Sequence, residues 1–572
     1  VGSGISDVLT RKGDFAPVDI PHDWLIYDSN RLYEDGTGWY LKNFDWLEDE
    51  GKRAFLIFEG VYMDSAVYVN GKKVAEWKYG YSTFSVEITD HIRRGNNQIV
   101  VSACFQASNS RWYSGAGIYR NVWMKVTESV CIEENGVYIS TRQQQKDFRL
   151  RAESAIDPPG VEAEGYEVVY RLYFEDREIP MSLTDNQGRI KEYLVETPRL
   201  WEIEDPALYT LRAELRVWGR VCQQEEVSFG FRYTEFDPDK GFFLNGKNRK
   251  LHGVCEHHDL GAFGAAFHRA ALKRRFQKLK EMGVNAIRGS HNMMAPGFVE
   301  LADEMGFLLI SEAFDMWERP KNTYDYARFF EKWHERDVKA WVCRDRNHPS
   351  VILWSIGNEI YDTHAGERGQ ELTARLKDLV ERWDPQGNAR VTMASNYMPW
   401  ENACKCADIV KIAGYNYSEK YYEEHHKAHP DWVIYGSETS SIVQSRGIYH
   451  FPLKTEILAE DDLQCSALGN SITSWGARSL ENCVTIDRDL EFSMGQFLWT
   501  GFDYLGEPTP YHTKNSYFGQ LDTAGFPKDS YYVWQAAWRD CHKDPMVHVF
   551  PYWDFNPGQL IDVRVCSNAP EV

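Results

Sequence analysis

The 572-residue chain has no run of eighteen or more apolar residues, which excludes a membrane-spanning helix. Its start, Val1-Gly-Ser-Gly, lacks the basic and apolar regions of a signal peptide. No Gly-x-Ser-x-Gly elbow follows a strand-like segment, which disfavours serine-type acyl transfer. No Gly-x-x-x-x-Gly-Lys-Ser/Thr loop is present to cradle phosphate. Cysteine is scattered and odd in number at eleven. The one close pair, Cys404-x-Cys406, lacks the spacing and the second pair of a zinc site. Reduced thiols without a leader make the cytoplasm the expected compartment. Basic residues are the minority, 64 against 85 acidic, and a net charge of −21 repels phosphate backbones. Nucleic acid and membrane are therefore not expected partners, and no metal or organic cofactor motif is found.

Aromatic residues are abundant: 20 Trp, 32 Tyr and 29 Phe, or 14% of the chain. They suit thick β-sandwich cores and also clefts that stack on the apolar faces of sugars. At roughly 150 residues per domain the chain divides into several. Residues 1–125 read as a β-sandwich. Phe55-Leu-Ile-Phe58, Ser65-Ala-Val-Tyr-Val69, Phe84-Ser-Val-Glu-Ile88 and Gln98-Ile-Val-Val-Ser102 are strand-like runs, and Asn70-Gly71 is a hairpin signal. Residues 126–235 continue as β, around Gly136–Ser140, Tyr166–Tyr170 and Tyr209–Leu215, with the length of an immunoglobulin-like sandwich.

After Phe236 strands alternate with helices. Eight candidate strands begin near Leu251, Val284, Phe307, Val351, Arg390, Ile409, Val433 and Gln496, with the clearest helices at 326–344, 368–383 and 529–540. Residues 236–545 are thus expected to form a (β/α)8 TIM barrel. Residues 546–572 read as a linker and the first strand, Gln559–Val565, of a further β domain. The fold class expected is multidomain β plus α/β.

Functional residues of such a barrel gather at the C-terminal ends of its strands. Those ends carry Glu256-His-His-Asp259, Arg288-Gly-Ser-His291, Glu312, Asp315, Asn358-Glu359, Tyr415-Asn-Tyr417, Ser437-Glu438, Trp499 and Asp503. Two apolar strands end in an acid: Val351-Ile-Leu-Trp-Ser-Ile-Gly-Asn-Glu359 and Val433-Ile-Tyr-Gly-Ser-Glu438. Facing carboxyls suit glycosidic bond cleavage, where one protonates the leaving oxygen and the other meets the oxocarbenium-like carbon. His257 and His258 are adjacent, so they point to opposite faces and do not share one metal ion.

At this point the chain resembles glycoside hydrolase family 2, the β-galactosidases, β-glucuronidases and β-mannosidases. The resemblance runs through Ile20-Pro-His-Asp-Trp24, Arg111-Trp-Tyr-Ser-Gly-Ala-Gly-Ile-Tyr-Arg120, Asn285-Ala-Ile-Arg-Gly-Ser-His-Asn292, Trp354-Ser-Ile-Gly-Asn-Glu359 and Gly436-Ser-Glu-Thr439. It implies a sugar-binding-like jelly-roll sandwich, an immunoglobulin-like sandwich and a catalytic barrel, in that order. It also implies a retaining exo-β-glycosidase working by double displacement through a covalent glycosyl-enzyme. Glu359 matches the family's acid/base and Glu438 its nucleophile. Asn358 matches the holder of the sugar 2-hydroxyl, Tyr417 the tyrosine beside the nucleophile, and Trp499 the sugar platform. His257, Asp259 and His291 match sugar-hydroxyl contacts, Arg288 a buried support of the nucleophile, and Arg111 a loop reaching the barrel mouth. On this reading Glu438 raises the pKa of Glu359 by like-charge repulsion, and the carboxyls lie about 5–5.5 Å apart. Family members often form dimers or tetramers, so a homo-oligomer is an open expectation.

The sugar stays open between galactose, galacturonate and glucuronate. Ala313-Phe-Asp-Met-Trp317 and Asn515-Ser-Tyr-Phe-Gly519 are closest to the β-galactosidase-like members. The Asn-x-Lys uronate grip of β-glucuronidases is not found after the eighth strand. Asn245-Gly-Lys247 and Asn248-Arg-Lys250 fit it only at the wrong end of the barrel. Arg319, Lys321 and Lys514 in Tyr511-His-Thr-Lys514 are the cations available for a uronate clamp, which would favour a galacturonide. The expectation is a terminal β-linked galacto-configured sugar, with β-glucuronidase as the alternative. A non-catalytic carbohydrate-binding protein, and transglycosylation as the main reaction, are further alternatives. Cys255 and Asn292-Met-Met294 depart from the family pattern.

Overall fold

The computed structural model describes residues 5–10, 15–48, 51–158, 165–453, 457–458, 465–466, 479–507 and 514–571. After a six-residue helix, Ile5–Thr10, which the sequence reading does not anticipate, an antiparallel sandwich begins. One of its sheets runs Gly36–Trp46, Gly95–Phe105, Ser65–Val69, Lys72–Trp77 in spatial order, and the other Phe84–Glu87, Arg53–Phe58, Val122–Thr127. Burial alternates along Ser65–Val69 and Phe84–Glu87, as strands with one face on a core require. Asn70 and Gly71 both take left-handed φ, 49° and 83°, the pair a tight hairpin needs to match strand twist.

A second sandwich has two four-stranded sheets. Its core is Leu150, Ala152, Leu172, Leu211, Ala213 and Phe229. A three-strand ribbon over 234–248 then leads into a closed barrel of eight parallel strands. These are β1 (Leu251–Glu256), β2 (Ala286–Gly289), β3 (Leu308–Glu312), β4 (Val351–Asn358), β5 (Arg390–Ser395), β6 (Ile412–Asn416), β7 (Val433–Thr439) and β8 (Ser493–Leu498). The helices are α1 (Arg269–Met282), α2 (Pro296–Met305), α3 (Ala327–Asp345), α4 (Glu367–Trp383), α5 (Glu401–Val410), α6 (Tyr422–Ala428), α7 (Leu480–Asp489) and α8 (Asp529–Trp538). Every residue of β4 and β7 is buried, because barrel strands are covered on both faces.

Four strand starts move from their expected places: β3 begins at Leu308 and not Phe307, β8 at Ser493 and not Gln496, and two more shift at helix ends. The expected strand at Ile409 begins at Ile412, because Ala403, Cys406, Ala407 and Val410 form the buried face of α5. Lys411 then ends that helix in the left-handed region, at φ 65°. Val284 donates its N–H to Leu279 O, so it closes α1 and β2 starts two residues later. The Asn-x-Lys triplets lie at the far end from the strand C-termini. Lys250 donates to Leu490 O and Ser493 O at the entry to β8, and Lys247 pairs with Glu202 at 3.0 Å. The terminal strand is Arg564–Ser567 and pairs back with Val547–Phe550, so its register differs from the expected 559–565. That hairpin packs through Phe550 and Cys566 on Leu453 and Val533 of α8.

Both sandwiches are anchored to the barrel by buried polar bonds. Asp337 of α3 accepts from Trp77 Nε1 at 2.8 Å, Ser82 Oγ at 2.6 Å and the Tyr326 hydroxyl. The Arg120 guanidinium, fully buried, donates to Tyr81 O and Met293 O. From the second sandwich, Tyr138 donates to Asp384 at 2.6 Å, and Gly306 sits so close that a Cβ there would lie 2.1 Å from Ile203 O. Asp337→Leu takes the carboxylate acceptor from the Trp77 indole and the Ser82 hydroxyl of the first sandwich, and from the Tyr326 hydroxyl. At about 1–3 kcal/mol per stranded group, we expect a loss on the order of 3 kcal/mol, measured as a lower denaturation midpoint. An unchanged midpoint would show that this junction contributes nothing.

Candidate active site

The C-terminal ends of the barrel strands converge on one buried cation. Arg288, on β2, is fully buried and spends its guanidinium on groups from four other strands. It donates to Glu312 of β3 at 2.7–3.0 Å, to Asn358 Oδ1 of β4 at 2.9 Å, and to Glu438 Oε1 and Ser437 O of β7, each at 3.0 Å. It also approaches Cys255 Sγ of β1 at 3.7 Å. Glu312 is itself held by Ser355 Oγ at 2.6 Å and His291 Nδ1 at 2.7 Å. The unusual Cys255 is thus a buried neighbour of this cation. Burial pushes its thiol up to about 12, so it is not a nucleophile at neutral pH.

Glu438 lies above Arg288, with Oε2 accepting from the Tyr417 hydroxyl at 2.8 Å and His291 Nε2 at 3.6 Å from Oε1. Glu359 follows the last residue of β4 and is 9% exposed. Its Oε1 accepts from Asn416 Nδ2 at 3.0 Å, and Arg111 Nη1 stands 3.5 Å from Oε2. Asn416 also donates to Asn358 Oδ1 at 3.0 Å and accepts from Ser437 Oγ at 2.6 Å. The ends of β4, β6 and β7 turn sharply through left-handed residues: Glu359 at φ 47°, Tyr417 at 53° and Ser440 at 52°. Each such residue costs of order 1–3 kcal/mol, held in place by the packing around it.

The two carboxyls are electrostatically coupled, and the proton preference is the reverse of the sequence expectation. Burial first, then the charge of Glu359, pushes Glu438 up to about 8, with Arg288 and Tyr417 opposing. Burial also acts to raise Glu359, but Arg111, then Lys321, and the Asn416 hydrogen bond bring it below the ordinary carboxylate range. The sequence reading raised Glu359 on the charge of Glu438 alone. It had no means of placing two cations beside Glu359. His291 and His257 are held neutral by burial, with Arg288 and His291 respectively adding to the effect.

Aromatic rings wall the space over the carboxyls. Trp499, after β8, stacks on His291 at 5.3 Å and meets His257 edge-on at 5.3 Å. Trp112 stands edge-on to both histidines, and Tyr504 stacks on His257 at 3.8 Å. Both ring nitrogens of His257 are buried without a partner among the described residues, as are Asp315 Oδ2 and His258 Nδ1. His258 points the other way, to Ser114 O at 2.9 Å and the ring of Tyr81, as expected for adjacent residues.

Arg111 and Trp112 come from the first sandwich, on a loop locked to the barrel. Trp112 bridges to Gly506, and Tyr113 N–H donates to Leu505 O at 3.0 Å. Asp23 anchors this loop from below. It accepts from the Tyr113 hydroxyl at 2.5 Å, from Ala116 N at 3.0 Å and from Ala265 N of the barrel at 2.9 Å. The Ile20-Pro-His-Asp-Trp24 motif therefore has a mechanical role.

Of the sequence candidates, Glu359, Glu438, Asn358, Tyr417, His291, His257, Trp499, Arg288 and Arg111 meet here. Asp259 is 1% exposed and accepts from Gly261 N–H at 3.2 Å, bracing its own loop. Asp503 likewise braces a loop, through Lys528 at 2.7 Å and Gly519 N–H at 2.8 Å. Two candidates lie elsewhere. Lys514 is exposed and donates to Asn30 Oδ1 at 2.7 Å, since the Leu505–Asn515 pairing turns it toward the first sandwich. Arg319 is exposed, on a turn held through its backbone N–H by Asp362 at 3.2 Å. Tyr511, His512 and Thr513 lie outside the described residues. The sequence reading assigned no role to Asn416, Asp315, Tyr504 or Glu507. Glu507, whose backbone N–H donates to Arg111 O at 3.0 Å, carries no signal in the sequence. Asn416 is adjacent to Tyr417, and that adjacency was its only signal.

Comparison with known proteins agrees with this architecture. Residues 16–128 match the family model "Glycosyl hydrolases family 2, sugar binding domain", 135–232 match "Glycosyl hydrolases family 2", and 238–435 match its "TIM barrel domain". The chain is 36% identical, over 98% of its length and 72% of the relative's, to a β-galactosidase of Bacteroides ovatus. It is 30% identical to a putative β-glucuronidase of Formosa agariphila, over 97% of this chain and 56% of that one. A crystal structure of a β-glycosidase from Bacteroides vulgatus superposes with a TM-score of 0.84 at 31% identity, covering 97% of this chain and 75% of that one. The chain belongs to glycoside hydrolase family 2 and is a β-glycosidase, a hydrolase acting on carbohydrate.

Proposed function

We propose that the protein is a retaining exo-β-glycosidase in which Glu438 attacks the anomeric carbon and Glu359 serves as acid and then base. The observation that carries this is the unequal seating of two coupled carboxyls. Glu438 is fixed from below by Arg288 and from the side by Tyr417, the hold a nucleophile needs to be aimed. Glu359 stands beside the partly exposed Arg111, where a leaving oxygen would arrive. The first half-reaction needs Glu438 ionised, the form that Arg288 and Tyr417 favour, and the shared proton on Glu359. Formation of the glycosyl ester then removes the Glu438 charge, and Glu359, still beside its cations, accepts a proton from water. Trp499 supplies the ring face for the sugar. His257, with both nitrogens unpartnered in a polar pocket, and His291 are placed for its hydroxyls. The 2-hydroxyl is assigned to Asn358 on the family resemblance.

For the sugar, we infer a terminal β-galactoside. Each described cation at the mouth already has carboxylate partners: Lys321 has Asp315 at 2.7 Å, while Arg111 has Glu359 at 3.5 Å and Asp315 at 3.6 Å. Lys514 and Arg319 point away. A relative called a β-galactosidase is the one 36% identical to this chain. A β-hexuronide is the second reading. It is favoured by the long contacts and 37% exposure of the Arg111 side chain, which a uronate could capture as a bidentate partner. Relatives called β-glucuronidases share the fold.

The kcat/KM values for nitrophenyl β-galactoside, β-galacturonide and β-glucuronide distinguish these readings. We expect the galactoside to lead by 100-fold, about 2.7 kcal/mol of transition-state discrimination. A uronide lead of that size would make Arg111 the clamp, and Arg111→Lys would then abolish it. Retention predicts the β-anomer as the first-formed sugar by NMR, and the α-anomer first would exclude Glu438 as a nucleophile. Glu438→Gln should lose activity by at least about 10³-fold; a fully active variant would overturn the mechanism. Arg288→Lys keeps the charge but cannot fork to Glu312, Asn358 and Glu438 together. We expect kcat to fall about 100-fold with the fold retained.

A further inference from the structure

Near Glu359, and sealed from solvent, lies a second cation that the mechanism above does not use as a contact to sugar. Lys321, in the β3–α3 connection, has a side chain only 3% exposed. Its Nζ is 2.7 Å from Asp315 Oδ1 and 3.0 Å from the carbonyl oxygen of Asn358. That carbonyl ends β4, one residue before the backbone turns left-handed at Glu359. Asp315 also accepts from Asn358 Nδ2 at 3.2 Å, so the pair grips Asn358 by backbone and side chain. The connection itself is held by Asp325, which accepts from the backbone N–H groups of Lys321 and Asn322 at 2.7 and 2.8 Å.

We propose that Lys321 is a positioning residue for Glu359, fixing the end of β4 through the Asn358 carbonyl and supplying a permanent counter-charge that favours the carboxylate form. The proposal rests on the reading of Glu359 as acid and base. Its logic differs from that of Arg111, whose contacts to Glu359 and Asp315 are long and open to the mouth, where a substrate can displace them. Lys321 is sealed and stays in place through both half-reactions. Ionised Glu359 is what the second half-reaction needs, when Glu438 is an uncharged ester.

Among the described residues, every charged or titratable group around Glu359 enters this balance. Arg111 reaches it from the first sandwich, Arg288 from β2, and Lys321 with Asp315 from the β3–α3 connection. Glu438 faces it from β7 and Tyr417 from the end of β6, Glu507 from the loop after β8, and His364 from the turn after β4. Burial draws Lys321 below the usual lysine range, and the Asp315 charge opposes this.

The test is the pH profile of kcat/KM on whichever nitrophenyl β-glycoside the parent hydrolyses. Its alkaline limb reports loss of the acid's proton. A nearby opposite charge depresses a carboxyl, so removing Lys321 must raise it. Lys321→Gln is expected to move the alkaline limb up by about one pH unit, and Lys321→Arg to leave it near the parent's. Asp315→Asn leaves Lys321 uncompensated and should move the limb down, which gives a signed result even where Lys321→Gln does not fold. A folded Lys321→Gln with lower kcat and an unmoved limb overturns the proposal, as does an unmoved or raised limb in Asp315→Asn. Glu359→Ala separates the two readings: it should lose the limb and regain turnover with azide on an activated aryl glycoside. If Glu359→Ala keeps the parent's limb, the assignment of Glu359 fails first, and the role of Lys321 with it.

Discussion

The buried guanidinium of Arg288 is the interaction on which the rest of the site depends. Desolvating one cation and two carboxylates costs several kcal/mol per ion, recovered only when geometry is good and the remaining donors are satisfied. Here the donors are spent on Glu312, Glu438, Asn358 and Ser437. Glu312 spends its own oxygens on Ser355 and His291. The cation thus cross-links β2, β3, β4 and β7 at one level of the barrel. The precision needed to aim a carboxylate is built from a closed polar network rather than from apolar packing. Cys255, in the floor beneath Glu438, fits this arrangement as a small, neutral neighbour.

The site is completed from outside the barrel. Arg111 and Trp112 belong to the first sandwich, and they reach the mouth because Asp23 binds the loop's backbone and the barrel's Ala265 at once. Gly115 and Gly264 leave the room this requires: a Cβ on either would stand 2.7 or 2.4 Å from Asp23 Oδ2. Asn292-Met-Met294, unusual in sequence, is gripped by Arg120 and Ser82 of the same sandwich. Met293 in this departure from the family pattern thus serves domain docking. The first sandwich is therefore part of the wall of the candidate site.

Charge at the mouth follows from the same assembly. Glu359 is surrounded by cations from two different units, and Glu438 by a deeper, more desolvated environment. The balance accordingly favours the proton on Glu438, and Arg111, the more exposed of the cations, is the one whose displacement would change that balance. This links substrate binding to the protonation state the chemistry needs.

The sequence alone determined the order of units, the eight barrel strands to within a few residues, and the two acids at the ends of β4 and β7. It could do so because a parallel strand reads as an apolar run, and an acid at its end is conspicuous. It also named Arg288, His291, Tyr417 and Trp499, each carried on or beside such a run. Only the tertiary structure decided which cations face the acids. Arg319, Lys321 and Lys514 are equivalent as loop residues in a sequence. Yet one is exposed on a turn, one is sealed against Asn358, and one turns to the opposite sandwich. The proton preference of Glu359 and Glu438 was hidden for the same reason. A pKa is set by burial and by charges within a few ångströms, and those come from residues hundreds of positions away, such as Arg111.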